Sequence, residues 1–456
     1  MNDNSRSSGT NVGYLLLISL VAAFGGFLFG YDTAVVSGAI GFLKAHFQLS
    51  ADLTGWAASS VLIGCMMGAM MGGPIGDRFG RKASLMLCAG LFFVSSLASA
   101  VPTTLSQFAW ARFMGGLAIG AASILSPIYI AEIAPERMRG RLVSLYQLAI
   151  VIGILAVFFV NLQIQRYGDT QWNTQTGWRW MFASLTLPSA LFGLLMGLVP
   201  ESPRWWMKVG KPEKARRILE KIGGPANAAR EVAEIESALR LEQGRWSELF
   251  AGGYGRALLV GALLAIFSQF SGINAIMYYG PEVFKTAGVG QDAAFVQTVT
   301  VGAINVLFTF VAIGFVDRWG RRALLLIGTS VQTLAHAMVG WCFATGRNDA
   351  VLLGGILIFV AAFAMAMGPV SWIVNAEIFP TKLRGRAMAI SIFLLWLACY
   401  LVSQTFPMLV EAIGPARTFW VYGGCSLVSF VFVLLMVPET KGKTLEEIQA
   451  HWNRGR

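Results

Sequence analysis

Long apolar runs recur along the whole chain and are separated by short polar segments. Each run has about 20 residues or more, which is enough for a helix to cross a hydrocarbon core of roughly 30 Å. The pattern predicts an all-α membrane protein with twelve transmembrane spans, numbered in order: 13–40, 52–75, 83–102, 107–134, 143–164, 177–198, 256–281, 293–316, 323–345, 351–378, 387–411 and 416–437.

Residues 199–255 interrupt the apolar pattern with many lysines, arginines and glutamates. Pro212 suits the first turn of a short amphipathic helix, and apolar residues at helical spacing predict a second helix over 229–243. We therefore expect a tail over 1–12, a six-helix bundle over 13–198, a cytoplasmic helical linker over 199–255, a second six-helix bundle over 256–437 and a tail over 438–456.

Short sequences before the linker have counterparts after it at a nearly constant offset. Gly-Asp-Arg-Phe-Gly-Arg-Lys at 76–82 matches Val-Asp-Arg-Trp-Gly-Arg-Arg at 316–322, and AEIAPERMRGR at 131–141 matches AEIFPTKLRGR at 376–386. PESPR from Pro200 is echoed by PETKG from Pro438. These matches indicate a duplicated six-helix unit, so we predict two pseudo-symmetric bundles with a substrate site between them near the midplane.

The chain carries a net charge of +11, although only 13% of its 456 residues are charged. A nucleic-acid partner would be one explanation, but the placement of the basic residues favours a membrane topology signal. If the N-terminus is cytoplasmic, few basic residues lie in the outer loops: Lys44, Arg166, Lys285, Arg347 and Arg417. Many more lie in the short inner loops: Arg78, Arg81, Lys82, Arg137, Arg139, Arg141, Arg318, Arg321, Arg322, Lys382, Arg384 and Arg386. We expect a multi-pass membrane protein with both termini cytoplasmic, a lipid bilayer as its surroundings and no nucleic-acid partner.

Several features argue against other classes of protein. The first span is too long for a removed signal peptide and has no small-residue cleavage site, so we expect it to stay as an anchor. The cysteines, Cys65, Cys88, Cys342, Cys399 and Cys425, are scattered singly, and we expect all five to be buried small hydrophobic residues. The chain has no phosphate-cradling Gly-rich loop followed by Lys-Ser/Thr. We expect neither enzyme activity nor a cofactor or metal.

Five motifs together resemble the sugar porter family of the major facilitator superfamily over essentially the whole chain. They are GGFLFGYD at 25–32, the two Asp-Arg-x-Gly-Arg loops, PESPRW at 200–205, QFSGIN at 269–274 and PETKG at 438–442. The resemblance implies uptake of a monosaccharide, a pentose or a hexose, by alternating access of two six-helix halves. A polyol such as inositol is an alternative substrate. We expect a monomer to enclose its own pathway.

Charged residues cluster at the predicted inner helix ends, where opposite charges can meet. One interpretation is that the basic residues set the topology and the acids neutralise them. The resemblance favours a second, in which pairs between neighbouring helices form a latch that holds the inner gate shut and breaks when the halves rock apart. The set comprises Asp77, Arg78, Arg81, Glu132, Arg139, Glu201, Asp317, Arg318, Arg321, Glu377, Arg384 and Glu439.

Asp32 is unusual because it lies deep in span 1, where a charge costs roughly 2.5 to 3.5 kcal/mol on insertion scales. Arg112 is comparably deep in span 4. At a rise of 1.5 Å per residue the two reach about the same depth, which permits a pair. The pair could be purely structural, or Asp32 could bind and release a proton as Arg112 moves. The resemblance supports proton coupling, because proton symporters of the family carry Asp at this position.

A monosaccharide presents hydroxyls and small apolar patches, so its site needs neutral hydrogen-bonding groups beside aromatic faces. The resemblance assigns Phe29, Tyr278 and Tyr279 to apolar walls and an outer gate, with bending expected at Gly272 and Gly280. Amides and indoles in apolar spans match sugar-contacting positions of the family: Gln147, Gln269, Asn274, Asn305, Trp372 and Trp396. Each amide could instead bond a neighbouring helix, and each indole could be packing or an interface anchor.

Departures from the family pattern leave two matters open. Leu185 stands where a symporter of the family has an acidic residue, so coupling would depend on Asp32 alone. Ser268, Met367, Leu395 and Cys399 replace amides or an indole, so the sequence does not name the sugar. We predict a monosaccharide–proton symporter; the alternatives are a facilitative uniporter with Asp32 uncoupled and a non-transporting sugar sensor.

Overall fold

The computed structural model describes residues 11–240, 246–250, 254–347, 350–379, 381–443 and 447. Residues outside the description include 1–10 of the predicted N-terminal tail, the end of the predicted linker helix over 229–243 and most of the C-terminal tail. The side chain of Asp317 also lies outside the description, although its backbone belongs to a helix.

The described chain is almost entirely helical. The N-terminal part contains α1 Val12–Phe47, α2 Ala51–Phe79, α3 Arg81–Ala100, α4 Leu105–Ile133, α5 Glu136–Tyr167, α6 Thr170–Trp172, a π-helical segment Asn173–Gly177, α7 Trp178–Ala183 and α8 Thr186–Leu198. The linker contains α9 Pro203–Lys208, α10 Pro212–Arg240 and a 3₁₀ segment Trp246–Phe250. The C-terminal part contains α11 Tyr254–Phe270, α12 Ile273–Thr286, α13 Gln291–Trp319, α14 Arg321–Thr345, α15 Ala350–Met365, α16 Met367–Glu377 and α17 Thr381–Met436.

These helices make the twelve crossings that the sequence predicts. Within the described residues, eleven helical stretches are long and apolar enough to cross a membrane. One of them, Leu383–Met436, has 54 residues and is about twice the length of a single span. Gly414 divides it with a non-helical conformation, φ 80° and ψ 161°, so it supplies spans 11 and 12.

The linker begins its long helix at Pro212, as predicted. The backbone of Gly224 is non-helical within α10, at φ 77° and ψ 170°, so two helical pieces follow one another at an angle. Glycine adopts this positive φ without steric cost. The linker therefore consists of short helices, as its alternating apolar and charged residues indicate.

Glycines let the helices that carry the candidate residues approach closely. A Cβ on Gly116 of α4 would lie 1.9 Å from the backbone oxygen of Val61 in α2. A Cβ on Gly30 of α1 would lie 1.9 Å from the backbone oxygen of Ile150 in α5. Small residues at such crossings allow backbone-to-backbone packing in membranes, where lipid offers no hydrophobic drive for association. The result is a tight N-terminal bundle around α1 and α4.

We call α1–α8 the N-half and α11–α17 the C-half. The linker face is the end of the bundle where α2 gives way to α3 and where α9 and α10 lie; the opposite face is the end where α1 gives way to α2. Between the halves, α2 packs against α17, α5 against α13 and α1 against α12. This packing lies toward the opposite face, where the polar contacts between the halves also lie.

Spans 7 and 10 are both broken. Span 7 divides into α11 and α12 at Gly272, whose φ is +84°, and bends again at Tyr279, just before Gly280 and Pro281. These are the positions where bending is predicted. Span 10 divides into α15 and α16 at Ala366, with φ −121° and ψ −82°. Broken helices expose backbone polar groups near the midplane, which is where transporters of this architecture place substrate sites.

The prediction for the cysteines is correct for four of the five. Cys65, Cys88, Cys342 and Cys399 are buried, whereas Cys425 is half-buried. Cys425 lies in the second part of α17, whose outward side faces the surroundings of the bundle, and a small apolar residue is compatible with lipid there.

Candidate functional site

Asp32 and Arg112 form an ion pair between α1 and α4 that is closed to solvent. The guanidinium Nη1 of Arg112 contacts Oδ1 of Asp32, and its Nη2 donates to the backbone oxygen of Asp32 at 2.8 Å. Asp32 is 0% exposed and Arg112 is 1% exposed. Two charges at this depth require each other, because removing either partner leaves an uncompensated buried charge.

The second carboxylate oxygen of Asp32 is differently placed. Oδ2 is buried and accepts no described hydrogen bond. It lies against α4, where a Cβ on Gly115 would be 2.9 Å from it and 2.5 Å from Oγ of Ser95. The guanidinium of Arg112 lies over the ring of Phe182, 5.2 Å from its centroid. Asp32 therefore has one oxygen engaged by arginine and one without a described partner.

Gln269 and Asn274 meet across the break between α11 and α12. The amide nitrogen of Asn274 donates to Oε1 of Gln269 at 2.5 Å and to Sγ of Cys399 at 3.1 Å. The amide nitrogen of Gln269 donates to Oγ of Ser268 at 3.0 Å. The break thus gathers two amides, a hydroxyl and a thiol. Sequence reasoning had noted Ser268 and Cys399 only as departures, yet both bond the predicted amides.

Aromatic side chains lie beside this polar group. The rings of Phe29 in α1 and Trp396 in α17 are 5.5 Å apart, so they meet across the two halves. Nε1 of Trp396 is buried and has no described acceptor. Oη of Tyr278 is 3.9 Å from Sγ of Cys399, and Oη of Tyr279 donates to the backbone oxygen of Ser403 at 2.7 Å. Both tyrosines are buried, as walls between α12 and α17 would be.

Three predicted residues are not joined to that group by any described bond. Gln147 lies half-buried in α5, and Asn305 lies buried in α13. Trp372 in α16 is 37% exposed and borders a small cavity. That cavity also contains Asn375, whose amide nitrogen donates to the backbone oxygen of Gly261 at 3.2 Å. Asn375 is a buried amide that sequence reasoning missed.

At the linker face the N-half carries a charged cluster around Arg81. Its guanidinium pairs with Asp77 at 2.8 Å and with Glu132 at 3.0 Å. Oγ of Ser202 donates to Glu132 at 2.5 Å. The carboxylate of Glu201 accepts the backbone N–H of Arg81 at 2.9 Å and that of the following residue at 3.1 Å, which caps the start of α3.

In the C-half, Arg321 and its neighbours repeat the bonds that Glu132 and Glu201 make in the N-half. Arg321 pairs with Glu377 at 3.0 Å, and Oγ1 of Thr440 donates to Glu377 at 2.6 Å. The carboxylate of Glu439 accepts the backbone N–H groups of Arg321 at 3.0 Å and Arg322 at 3.1 Å. Partial burial would raise the pKa of Glu439, but the N–H groups of Lys441, Arg321 and Arg322 outweigh it and hold that pKa below its usual value.

The remaining charged residues of the predicted set make other contacts. The guanidinium of Arg78 lies 5.3 Å from the ring centroid of Phe79. Arg139 donates to the backbone oxygen of Ala131 at 3.1 Å. The backbone oxygen of Arg318 accepts from Nζ of Lys441 at 2.6 Å, and Arg384 donates to the backbone oxygen of Phe379 at 3.5 Å. Among the described ion pairs, Arg81 and Arg321 pair with acids of their own halves, and Asp77 also pairs with Lys208 of the linker helix α9 at 2.9 Å.

The described polar contacts between the halves lie toward the opposite face, and sequence reasoning missed them. Arg166 at the end of α5 pairs with both oxygens of Asp292 at the start of α13, at 2.6 and 2.9 Å. The amide of Gln404 in α17 spans part of α2: it accepts from Oγ of Ser59 at 2.8 Å and donates to the backbone oxygen of Asp52 at 2.9 Å. These bonds hold the opposite face together. Which side chains bond each other across distant helices leaves no periodic pattern in a single sequence.

Comparison with known proteins agrees with this architecture. A family model described as sugar (and other) transporter matches residues 18–452. The arabinose-proton symporter of Bacillus subtilis is 45% identical over 444 residues, covering 97% of this chain and 96% of that protein. The D-xylose-proton symporter of Escherichia coli is 44% identical over 474 residues, with the same coverage. A solved structure of the xylose transporter XylE from E. coli in its inward-open conformation has a TM-score of 0.87, 42% identity, and coverage of 96% of this chain and 100% of that one.

Proposed function

This chain belongs to the sugar transporter family of the major facilitator superfamily, and we propose that it imports a monosaccharide, a pentose or a hexose, together with a proton. Transport occurs by alternating access: the two halves tilt about a site near the midplane and expose it to each side in turn. The protein performs no covalent chemistry on its substrate and acts as a monomer in a bacterial inner membrane, with the linker face toward the cytoplasm.

The observation that carries proton coupling is the buried contact between Asp32 and Arg112. The carboxylate has one oxygen on the guanidinium and one without a described partner, so it can take up a proton without leaving its place. Proton binding removes the charge that Arg112 compensates, which changes the free energy of every state in which the pair is closed. The names of the two relatives above, both sugar-proton symporters, support the same reading.

Sugar binding is proposed at the group that Gln269 and Asn274 form at the break of span 7. Their amides, with Gln147, Asn305 and Trp372 farther around the pathway, offer donors and acceptors for hydroxyls. Phe29, Trp396, Tyr278 and Tyr279 offer apolar faces. The mutual bond between Gln269 and Asn274 can exchange for bonds to a sugar, because each amide has both a donor and an acceptor end.

The charged clusters are proposed to act as parts of the gate at the linker face. Each cluster ties together helix ends of its own half, so that the half moves as one body. The set is Asp77, Arg78, Arg81, Glu132, Arg139, Glu201, Asp317, Arg318, Arg321, Glu377, Arg384 and Glu439. Closing the linker face brings the two clusters together, and opening it separates them while the contacts at the opposite face form.

The test uses the purified full chain in proteoliposomes loaded with a pH-sensitive dye. Arabinose, D-xylose, galactose and glucose are added in turn outside, at equal internal and external pH. Symport predicts sugar entry accompanied by internal acidification. Sugar entry at unchanged internal pH would establish the uniporter, and saturable sugar binding with no entry would establish the sensor.

A further inference from the structure

The break between α11 and α12 frees a backbone carbonyl in the middle of the bundle. In a continuous helix the oxygen of Ser271 would accept the N–H of Ala275. Here the N–H of Ala275 bonds the oxygen of Gly272 at 3.0 Å instead. A buried carbonyl without a donor is costly, so the break needs a partner for Ser271 from another element.

His336 of α14 supplies that donor. Its Nε2 lies 2.8 Å from the backbone oxygen of Ser271. Since a carbonyl oxygen only accepts, Nε2 carries the hydrogen, and this contact selects one tautomer of the ring. His336 is 1% exposed, so the contact is closed to solvent.

The imidazole is held in place by aromatic neighbours. Its centroid lies 4.2 Å from that of Phe359, 6.0 Å from Phe419 and 6.2 Å from Tyr422. On the adjacent helix, a Cβ on Gly423 would lie 3.2 Å from Cβ of His336, so a glycine there makes room for α14 to approach. A ring locked in this way delivers its N–H to a single place.

We propose that His336 is a positioning residue that fixes the break in span 7 and thereby sets the geometry of Gln269 and Asn274. Those two residues lie two positions before and three positions after Ser271 along the chain. Their amides bond each other across the break at 2.5 Å, so a change in the turn at Ser271 and Gly272 moves one amide relative to the other. The inference rests on the proposed sugar site at these amides.

The test compares two polar replacements that differ in reach. The amide nitrogen of glutamine comes to about the position of Nε2, whereas that of asparagine reaches only about as far as Nδ1. His336→Gln therefore retains a donor for Ser271, and His336→Asn removes it while burying a group of the same chemistry. Gln332 is the matched control: it lies one turn earlier on α14, is 0% exposed, and neither of its amide atoms has a described partner. Gln332→Met is expected to leave sugar affinity unchanged.

Two measurements are made on the full chain in detergent. Titration calorimetry with arabinose and D-xylose is expected to give roughly tenfold weaker binding for His336→Asn, and binding within about threefold of the unmodified protein for His336→Gln. Amide hydrogen exchange over residues 270–276 is expected to be faster in His336→Asn and restored in His336→Gln.

The outcomes separate this inference from the proposed function. If the unmodified protein binds neither sugar, the choice of substrate is wrong, and hydrogen exchange alone decides the role of His336. Equal weakening of both variants would mean that the ring acts only by packing, and unchanged exchange in His336→Asn would mean that the break holds without it. Either result overturns the inference.

Discussion

Arg112 contacts Asp32 twice, through the carboxylate and through the backbone carbonyl of the same residue. Only the first contact depends on the charge of the carboxylate. Protonation of Asp32 therefore weakens the link between α1 and α4 without abolishing it, and the guanidinium keeps a partner at 2.8 Å. Under the proposed coupling, a proton on Asp32 would in this way change the balance between conformations while the bundle stays intact.

Replacing Asp32 with asparagine keeps the size of the side chain and the backbone contact but removes the titrating group. We expect Asp32→Asn to lose uphill sugar accumulation and sugar-driven acidification while exchange of sugar down its gradient continues. Transport assays in proteoliposomes, with and without a pH gradient, measure both. Asp52→Asn is the matched control, since Asp52 is an exposed carboxylate at the start of α2. Uphill accumulation that survives in Asp32→Asn would remove this carboxylate from the coupling mechanism.

Replacing Arg112 with glutamine leaves the carboxylate of Asp32 buried without a cation. A charged carboxylate in this position costs about 3 to 5 kcal/mol, so we expect a lower melting temperature in detergent. The double variant Asp32→Asn with Arg112→Gln removes both charges and is expected to recover much of that loss. The melting temperatures of Asp32→Asn, Arg112→Gln and the double variant test this expectation. A double variant no more stable than Arg112→Gln would mean that the arginine stabilises the bundle by packing on Phe182.

Gln269 supplies the acceptor for Asn274 and a donor to Ser268. We expect Gln269→Ala to weaken sugar binding by roughly tenfold, the effect of about one or two hydrogen bonds, with normal levels of protein in the membrane. Titration with arabinose and D-xylose measures the affinity. Gln165→Ala is the control, because Gln165 is another buried amide, in α5 near the opposite face. Unchanged affinity in Gln269→Ala would take this residue out of the sugar site.

The pair between Arg166 and Asp292 joins the halves at the opposite face, where Val410 borders a cleft of about 250 Å³. Both side chains are about half exposed, so solvent and salt screen the pair and its contribution to closure is small. We expect Arg166→Gln to increase opening of this face up to about fivefold. The rate at which an impermeant maleimide labels Val410→Cys measures the opening.

The matched control for that prediction reverses both charges. Arg166→Asp combined with Asp292→Arg keeps an ion pair at the same place and should restore slow labelling. If labelling is unaffected in Arg166→Gln, or if the reversed pair labels as fast as the single variant, the pair does not hold the face closed.

Glu439 gives the cluster of the C-half a dependence on pH. Its pKa is lower in the folded protein than in the unfolded chain, so its contribution to stability is present above the ordinary value of about 4.3 and is lost as the pH falls through the lowered pKa. We expect Glu439→Gln to melt at a lower temperature than the unmodified protein at pH 7, with the difference closing at acid pH. Melting curves of both proteins between pH 3 and pH 7 measure this difference, since that range includes the pH at which Glu439 takes up its proton. A difference independent of pH would assign the effect to lost packing.

The depth of a residue within a span was predictable because it follows from counting along a helix. That count placed Asp32 and Arg112 at one level, and the structure joins them. The bends of span 7 were also local, since Gly272 and Pro281 carry them in their own backbone preferences. The fold class followed from the lengths of the apolar runs and from the duplicated six-helix unit, both of which are visible along the sequence.

Partner choice was not predictable in the same way. The charged motifs at the linker face were expected to latch neighbouring helices, but whether Arg81 reaches Glu132 or a residue of the other half depends on how the bundles tilt. Gln404 looked like any amide in a span, and only the packing of α17 on α2 gives it Ser59. The donation from His336 to Ser271 depends on a carbonyl freed in another helix, and no pattern around His336 in the sequence indicates it.

The sequence by itself determined the twelve spans, the duplication, the broken seventh span and the depth of the buried carboxylate, because hydropathy, helical rise and glycine or proline backbone preferences act over neighbouring residues. Tertiary structure decided which side chains meet: Asp32 with two atoms of Arg112, Arg81 and Arg321 each with a glutamate of its own half, and polar contacts between the halves toward the opposite face. Those choices depend on distances between helices far apart along the chain, which local patterns leave free and close packing fixes.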